Sequence, residues 1–89
     1  MPETVAKRDI RVHVRLFASY REAAGTNRLD APLPAGARVR DLLDFLAARV
    51  PAVKRAPGMV AVNHTYVGRD TLLTDGDEVA LIPPVSGGR

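Results

Sequence analysis

The sequence VRDLLDFLAARV, residues 39–50, predicts the clearest helix in the chain, and the other elements are predicted around it. Its apolar residues recur at the helical spacing i, i+3, i+4, i+7 and i+11 and form one stripe, made up of Val39, Leu42, Leu43, Leu46 and Val50. Pro51 predicts the end of this helix. Neither Ala37 nor Arg38 offers a capping oxygen at its start, so we expect the helix to depend mainly on packing against a sheet.

The segment IRVHVRLFAS, residues 10–19, has the alternation of a half-buried strand. From Ile10 to Leu16 every second residue is apolar and the residues between them are polar, which is a period of two. Phe17 shares its face with the polar set, so we expect its side chain to point away from the core.

Between this strand and the helix lie a short helical segment and a second strand. YREAAGT, residues 20–26, predicts one helical turn at most, with Gly25 as its natural stop. NRLDAPLPAG, residues 27–36, alternates again, and its two prolines confine it to a sheet edge or a bulge. We therefore predict a short edge strand that a hairpin-like connection joins to the first strand.

The segments after the helix predict the rest of the sheet. MVAVN, residues 59–63, predicts a short strand, and HTYVG, residues 64–68, predicts a turn or a brief strand. DGD, residues 75–77, is typical of a tight turn ahead of the last strand, EVALI, residues 78–82. In that strand Ile82 points outward if the residues that alternate with it point inward.

This order of elements predicts an α+β fold, with a mixed sheet of about five strands and one main helix packed across one face. We expect residues 1–9 to be a flexible lead-in, residues 10–82 to form the domain, and residues 83–89 to be a flexible tail. No internal repeat or low-complexity tract divides the chain, so a single domain is predicted.

The composition restricts the class of protein. The chain has 89 residues and no cysteine, which excludes disulfides, cysteine catalysis and thiolate metal sites and fits a cytoplasmic location. No apolar run approaches the roughly 20 residues that span a bilayer, and the first residues lack the apolar core of a secretory signal. We therefore expect no membrane partner.

The net charge of +3 raises the question of nucleic-acid binding. The 13 basic residues, all arginine except Lys7 and Lys54, are spread along the chain and interleaved with acids. With two Tyr, two Phe and no Trp, the chain has too few aromatic residues for a base-stacking platform. A small nucleic-acid-binding module therefore stays a minority alternative.

The sequence predicts no active site within the domain itself. His13 lies on the polar face of the first strand and His64 in a turn, without the neighbours that a catalytic pair or a metal site needs. The sequence DGDE, residues 75–78, resembles part of a calcium loop but lacks the other ligands. We therefore expect no metal site and no stably bound cofactor.

The tail, PPVSGGR, is the remaining candidate site. Pro83 and Pro84 keep the backbone extended, and the stretch from Pro83 to Gly88 reaches about 20 Å when it is fully extended. Gly87 and Gly88 lack side chains, so this end is able to enter a channel too narrow for other residues. From the residues alone, an ordinary frayed terminus explains the small residues equally well.

Three segments resemble a known family. LFASYREAAG, VNHTYV and LTDGDEVALIPPVSGG, residues 16–25, 62–67 and 73–88, resemble the MoaD/ThiS sulfur carriers and, among them, the molybdopterin synthase small-subunit branch. The last segment is the most specific for the family, because DGDE followed by PPVSGG rarely occurs by chance. The resemblance implies the ubiquitin-like β-grasp fold, which agrees with the order of elements predicted above.

In that family the working group is the carboxylate of the terminal glycine, which corresponds to Gly88. Because a terminal carboxylate has a pKa of about 3.5 and is ionised, it must be activated. The resemblance implies that an E1-like (MoeB-like) adenylating enzyme uses ATP to form an acyl-adenylate, which sulfur converts into a thiocarboxylate. The tail then enters the large (MoaE-like) subunit of molybdopterin synthase and gives its sulfur to cyclic pyranopterin monophosphate in molybdenum cofactor biosynthesis. The tail residues implied in this role are Pro83, Pro84, Val85, Ser86 and Gly87.

The resemblance also implies a partner interface. Phe17 and Ile82, which alternation places outward, match positions that in the family face both the activating enzyme and the large subunit. Tyr66 matches a third such position. We expect Arg15 and Arg21 to border this apolar surface, as polar rims do in protein interfaces.

One residue departs from the family pattern, since Arg89 follows Gly88 and turns its carboxylate into an ordinary amide. Three explanations are open: a protease trims Arg89, the residue does not belong to the natural chain, or the carrier activity has been lost. We favour the first two, because the rest of the tail is intact.

Other functions use the same tail chemistry. They are a sulfur carrier for thiamine, cysteine or tRNA thiolation, and a ubiquitin-like modifier that is conjugated to lysines through Gly88. The sequence PPVSGG favours the molybdopterin branch but does not exclude these alternatives.

Overall fold

The computed structural model describes residues 9–55 and 58–84, which form a five-stranded sheet with helices packed against it. The elements in chain order are β1 (Asp9–Leu16), α1 (Ala18–Ala24), β2 (Arg28–Pro34), α2 (Val39–Arg49), α3 (Pro51–Arg55), β3 (Met59–Val62), β4 (Thr65–Tyr66) and β5 (Glu78–Ile82). The strand order is β2-β1-β5-β3-β4, with β1 parallel to β5 and the other neighbours antiparallel. The predicted α+β architecture, a mixed five-stranded sheet with one main helix, is confirmed.

The described residues cover the predicted domain except for residues 56–57. β1 begins at Asp9, one residue before the predicted start of the domain, and β5 ends at Ile82. Residues 1–8 of the predicted lead-in and residues 85–89 of the predicted tail lie outside the described residues. Within the described ranges, no helix has the length and apolar character needed to cross a membrane.

The core lies between one face of the sheet and the apolar stripe of α2. The central neighbours β1 and β5 bury alternate residues, as a period of two predicts. On α2, Val39, Leu42 and Leu46 are fully buried and Leu43 is half-buried, which confirms the predicted stripe. The strand residues packed against it include Val12, Val14, Leu16, Ala31, Leu33, Val60, Val79 and Leu81.

The segment between β1 and β2 is a helix of seven residues, α1, rather than the single turn that the sequence predicts. The side chain of Tyr20 is almost completely buried in the core, and this packing stabilises a helix too short to form by itself. The helix stops as predicted at Gly25, which has a left-handed φ of 77° and donates its N–H to the Arg21 carbonyl at 3.0 Å. The two strands pair antiparallel, which confirms the predicted hairpin-like connection, although this connection contains a helix longer than one turn.

The start of α2 is capped by groups that its local sequence does not reveal. The Arg38 side chain makes no capping bond, but the Asp41 carboxylate accepts a hydrogen bond from the Arg38 N–H at 2.8 Å. The N–H groups of the first two helical residues donate to the carbonyls of Thr71 and Arg69, both at 2.9 Å. The loop after β4 thus pairs donors that a helix start leaves without intrahelical partners.

The prediction that Pro51 ends the main helix is confirmed, and a short helix that the sequence did not indicate follows it. α2 ends at Arg49, with Val50 as its cap, but Pro51 begins a second helix, α3. Proline is well tolerated at the first helical position, because the N–H that it lacks has no intrahelical partner there. The buried side chains of Val50 and Val53 attach α3 to the core.

β2 lies at the edge of the sheet, as its prolines predict, and the pairing explains how they fit there. Pro32 lies opposite Arg11, and Pro34 lies two residues further along β2. The Arg11 carbonyl accepts a hydrogen bond from the Gly76 N–H at 2.8 Å, so the backbone of Arg11 turns away from β2. Both proline nitrogens therefore point to the free edge, where no ladder bond is lost and another strand finds fewer donors.

β3 and β4 form a hairpin that the loop before β5 supports. Its two-residue turn, Asn63 and His64, has positive φ angles of 49° and 74°, as a type I′ turn requires. The Asn63 amide donates to the Asp77 carboxylate and accepts from the Glu78 N–H, both at 3.0 Å. The tight turn predicted at residues 75–77 is confirmed, with Gly76 at a φ of 86°.

Asp77→Asn is expected to lower the free energy of unfolding at neutral pH by about 1–2 kcal/mol, because a carboxylate that accepts several bonds is replaced by an amide. Besides the bond from Asn63, the Asp77 carboxylate accepts the N–H and the hydroxyl of Thr74, at 2.8 and 3.0 Å. Burial acts to raise the pKa of Asp77, but these hydrogen bonds outweigh it and hold the pKa below its ordinary value.

A lowered folded-state pKa contributes stability above the unfolded-state pKa, and this stability is lost as the pH falls through the folded-state pKa. Urea unfolding between pH 7 and pH 2 should therefore show a loss of stability below about pH 4 that is smaller in Asp77→Asn. Glu22→Gln, at an exposed position of α1, is the control. An identical acid dependence in the natural protein and Asp77→Asn would contradict the prediction.

Candidate functional site

The face of the sheet opposite the core, the outer face, carries the predicted interface residues. Arg15 lies on this face, because Val14 and Leu16 on either side of it are buried. Residues directly opposite one another in neighbouring strands share a face. The residues that follow Arg15 across the sheet in this row are Ala80, Ala61 and Tyr66.

The next row of the outer face is apolar. Met59 lies opposite Ile82 in the β3–β5 pair. Leu16, the last residue of β1, lies opposite Leu81 in β5. The backbone of Phe17 is still extended (φ −121°, ψ 154°), so the next pair in this register places Phe17 beside Ile82. We call the apolar residues of these two rows the outer apolar patch, which consists of Phe17, Met59, Ala61, Tyr66, Ala80 and Ile82.

Three large side chains of the outer apolar patch are open to solvent: Phe17 is 41%, Met59 53% and Tyr66 61% exposed. The outward orientation predicted for Phe17 is confirmed. Ile82 is half-buried rather than fully exposed, because it lies between Phe17 and Met59. Apolar side chains gathered on an exposed sheet face in this way are typical of a surface that binds another protein.

Met59 is a patch residue that the sequence reasoning missed. The alternation of MVAVN separates Met59 from the buried Val60, so its orientation was available from the sequence. The sequence did not indicate that Met59 lies beside Ile82, because this contact depends on the pairing of β3 with β5.

Arginine side chains border the outer apolar patch on its β1 side. The Arg15 guanidinium lies 6.0 Å from the centre of the Phe17 ring, and Arg28 is the β2 residue opposite Arg15. Arg21 is exposed one helical turn after Phe17, and its N–H points to the Phe17 carbonyl at 3.4 Å. Cations at the rim of an apolar surface favour a partner that carries acidic groups there.

His13 has an acidic neighbour that spacing along the sequence did not reveal. Its Nδ1 lies 2.9 Å from Asp30 Oδ1, because the two residues are directly opposite in β1 and β2. The hydrogen bond with His13 holds the pKa of Asp30 below its ordinary value. Both side chains are exposed, so the pair contributes little to stability. His64 lies in the β3–β4 turn, as predicted, and the two described ranges contain no group of three metal-ligating side chains.

The first two residues of the tail, Pro83 and Pro84, lie within the described part of the chain. Pro83 is half-buried and Pro84 is exposed. Because they follow Ile82 directly, the tail begins at the border of the outer apolar patch. The other predicted tail residues, Val85, Ser86, Gly87, Gly88 and Arg89, lie outside the described residues.

Comparisons with known sequences match most of the chain. The ThiS family model matches residues 14–88, and so includes Gly88 but not Arg89. A molybdopterin synthase sulfur carrier subunit from Drosophila erecta is 40% identical over 83 residues, which cover 89% of this chain and 92% of that protein. The protein of the same name from Chlamydomonas reinhardtii is 41% identical over 83 residues, which cover 89% of this chain and 100% of that protein.

Solved structures show the same fold. Subunit 1 of a molybdopterin converting factor from Pyrococcus furiosus is 38% identical with a TM-score of 0.77, covering 85% of this chain and 99% of that one. The small archaeal modifier protein SAMP1 from Haloferax volcanii is 33% identical with a TM-score of 0.76, covering 88% and 99%. A complex of subunits 1 and 2 of the molybdopterin-converting factor from Helicobacter pylori contains a chain that is 23% identical, with a TM-score of 0.62 and coverage of 89% and 100%. The last likeness shows the fold alone.

Proposed function

The chain belongs to the ThiS family and has a ubiquitin-like β-grasp fold, and on that premise we propose that it is the sulfur-carrier subunit of molybdopterin synthase. The observation that carries the proposal is the identity of 40% and 41% over 83 residues to proteins of that name. The tail and the outer apolar patch support it, because a carrier needs a reactive end and a docking surface.

Gly88 is the reacting residue. Its carboxylate attacks the α-phosphate of ATP on an E1-like adenylating enzyme, pyrophosphate leaves, and an acyl-adenylate forms. A sulfur nucleophile then attacks the acyl carbon, AMP leaves, and the terminus becomes a thiocarboxylate. The adenylate is needed because the free carboxylate is ionised and is a poor electrophile.

The thiocarboxylate gives its sulfur to cyclic pyranopterin monophosphate inside the large subunit of molybdopterin synthase. Gly87 and Gly88 suit a narrow channel, since they have no side chains. Pro83 and Pro84 reduce the entropy that the tail loses on entering it. The relatives named molybdopterin synthase sulfur carrier subunit support a large-subunit partner, because a carrier subunit of a synthase acts together with another subunit.

The outer apolar patch is the docking surface for both partners. Its exposed side chains Phe17, Met59 and Tyr66 enter apolar pockets, and the arginines at its rim meet acidic groups. Because the tail follows directly after Ile82, a residue of the patch, docking of the patch brings the tail to the partner's active site. The two partners therefore bind one after the other, in the cytoplasm where ATP is available.

Activation requires the removal of Arg89, because the Gly88 carbonyl is otherwise an amide and has no carboxylate to adenylate. We assign this step to a protease that cuts after Gly88. The family match ends at Gly88, which agrees with Gly88 as the last residue of the working carrier.

A ubiquitin-like modifier is the second candidate function. The 33% identity to an archaeal small modifier protein favours it, since this relative carries that name. A modifier would use the same Gly88 adenylate but pass its acyl group to a lysine amine. Isopeptide-linked conjugates in cells would therefore distinguish the modifier from the carrier.

Intact-mass measurement of the protein isolated from its own cells tests the proposed function. We expect a species that has lost Arg89 and has exchanged one oxygen for sulfur at its terminus. A chain that always retains Arg89 would refute the proposal. If the protein has lost Arg89 and forms isopeptide-linked conjugates, but has not exchanged oxygen for sulfur at its terminus, the result would support the modifier instead.

A further inference from the structure

Gly58 lies where the tail leaves the sheet. It directly precedes β3, whose first residue, Met59, lies opposite Ile82, the last residue of β5. Continuing this antiparallel register by one residue brings Gly58 opposite Pro83. Gly58 therefore faces the first residue of the tail.

The backbone approaches so closely here that no side chain fits at Gly58. A Cβ built on Gly58 would overlap the Ile82 carbonyl oxygen and would lie 2.8 Å from Pro83 Cα and 2.9 Å from the Ile82 carbonyl carbon. All three are backbone atoms, so a collision would move the chain rather than a flexible side chain. Gly58 does not have a positive φ, so glycine is needed here for the close approach and not for its conformation.

Gly58 also lies near Tyr20 of α1, with which it lines one cavity. Burial raises the pKa of Tyr20, and a hydrogen bond with the Gly58 backbone acts in the opposite direction. Tyr20 is 2% exposed, so its ring has a fixed position in the core beside Gly58.

We propose that Gly58 is a positioning residue for the tail: because its backbone packs directly against Ile82 and Pro83, it sets the direction in which the tail leaves the domain. The inference rests on the proposed function, because direction matters only if Gly88 has to reach a partner's active site. A misplacement of about 1 Å at the reacting group costs about 100-fold in rate, so the position from which the tail starts affects the reaction.

This role differs from the role of the outer apolar patch. The patch determines how tightly a partner binds, whereas Gly58 determines where the tail points once the partner is bound. Gly58→Ala should therefore reduce the rate of the bound complex and leave docking almost unchanged. If Gly58 had a purely structural role, Gly58→Ala would lower the melting temperature but would not reduce the rate of the bound complex selectively while docking stayed unchanged.

The test uses chains that end at Gly88, assayed by carrier-dependent ATP–pyrophosphate exchange on the E1-like adenylating enzyme. For Gly58→Ala we expect kcat to fall at least about 10-fold while KM for the carrier stays within about 2-fold. Gly68→Ala is the matched control, because a Cβ at Gly68 meets nothing within 4 Å. It should keep both constants.

A folded Gly58→Ala with the natural kcat would overturn the proposal, as would an equal loss in Gly68→Ala. If Gly58→Ala does not fold, Tyr20→Phe replaces it, since it removes the phenol oxygen and keeps the ring. We expect kcat to fall about 3-fold in Tyr20→Phe at an unchanged KM, and an unchanged kcat would overturn the proposal.

A readout without partners separates this inference from the proposed function. If the natural chain ending at Gly88 supports no exchange, the proposed function fails, but the amide NMR signal of Ile82 still reports the contact. This signal should shift in Gly58→Ala or Tyr20→Phe and remain in place in Gly68→Ala. An unmoved Ile82 signal in both test variants would overturn the positioning role.

Discussion

Chains that end at Gly87 or at Arg89 are expected to lose sulfur transfer almost completely, whereas the chain that ends at Gly88 transfers sulfur. With Arg89 present, the Gly88 carbonyl is an amide and offers no carboxylate to adenylate. Without Gly88, the tail is shorter by about 3.3 Å, which is several times the misplacement of about 1 Å that costs about 100-fold in rate. We therefore expect both losses to be at least about 100-fold.

Thiocarboxylate formation in the three chains is measured by intact mass after incubation with the adenylating enzyme, ATP and a sulfur donor. Thermal unfolding is the control, because changes at a chain end should alter stability by no more than about 0.5 kcal/mol. A chain ending at Arg89 that gains sulfur, or a chain ending at Gly87 that works normally, would show that Gly88 is not the reacting residue. A large fall in melting temperature would contradict the placement of the tail outside the folded core.

Phe17→Asp is expected to weaken docking to the large subunit by about 2 kcal/mol or more, which is about 30-fold in Kd. The reason is that a charge replaces an exposed aromatic side chain within an apolar contact surface. The folded protein should tolerate the change, since Phe17 is 41% exposed and the new carboxylate lies beside Arg15. Met59→Asp should weaken docking in the same way, because Met59 belongs to the same row of the patch.

Leu72→Asp is the matched control for these two substitutions. Leu72 is also a large exposed apolar residue, 54% exposed, but it lies beside Arg38 at the start of α2 and outside the outer apolar patch. Titration calorimetry with the large subunit should give the natural Kd for Leu72→Asp. If Leu72→Asp weakens binding as much as Phe17→Asp, the loss comes from any new surface carboxylate, and the patch is not the docking site.

Several parts of the fold could be predicted from the sequence because they depend on local periodicity. The alternation in β1 correctly gives its buried face, and the stripe of α2 correctly gives its packing surface. The prolines of β2 indicate an edge strand, and the turn at residues 75–77 follows from its glycine. In each case the signal and the structure involve the same few neighbouring residues.

Other parts could not be predicted, because the groups that stabilise them are distant in the sequence. α1 is longer than its local propensity implies, since Tyr20 is buried in the core. The start of α2 is capped by the carbonyls of Arg69 and Thr71, about thirty residues further along the chain. The interface was only partly predicted, because Met59 joins it through a pairing that periodicity does not specify.

By itself, the sequence determined which side of each strand and helix is apolar, and it determined the chemistry of the tail that ends in Gly87, Gly88 and Arg89. These properties follow from residue type and spacing alone. The tertiary structure decided which strands are neighbours, and so placed Phe17 beside Ile82 and Gly58 against Pro83. Periodicity sets the face that a residue occupies, but strand order sets its neighbours across the sheet, and that order depends on hydrogen bonds between segments far apart in the chain.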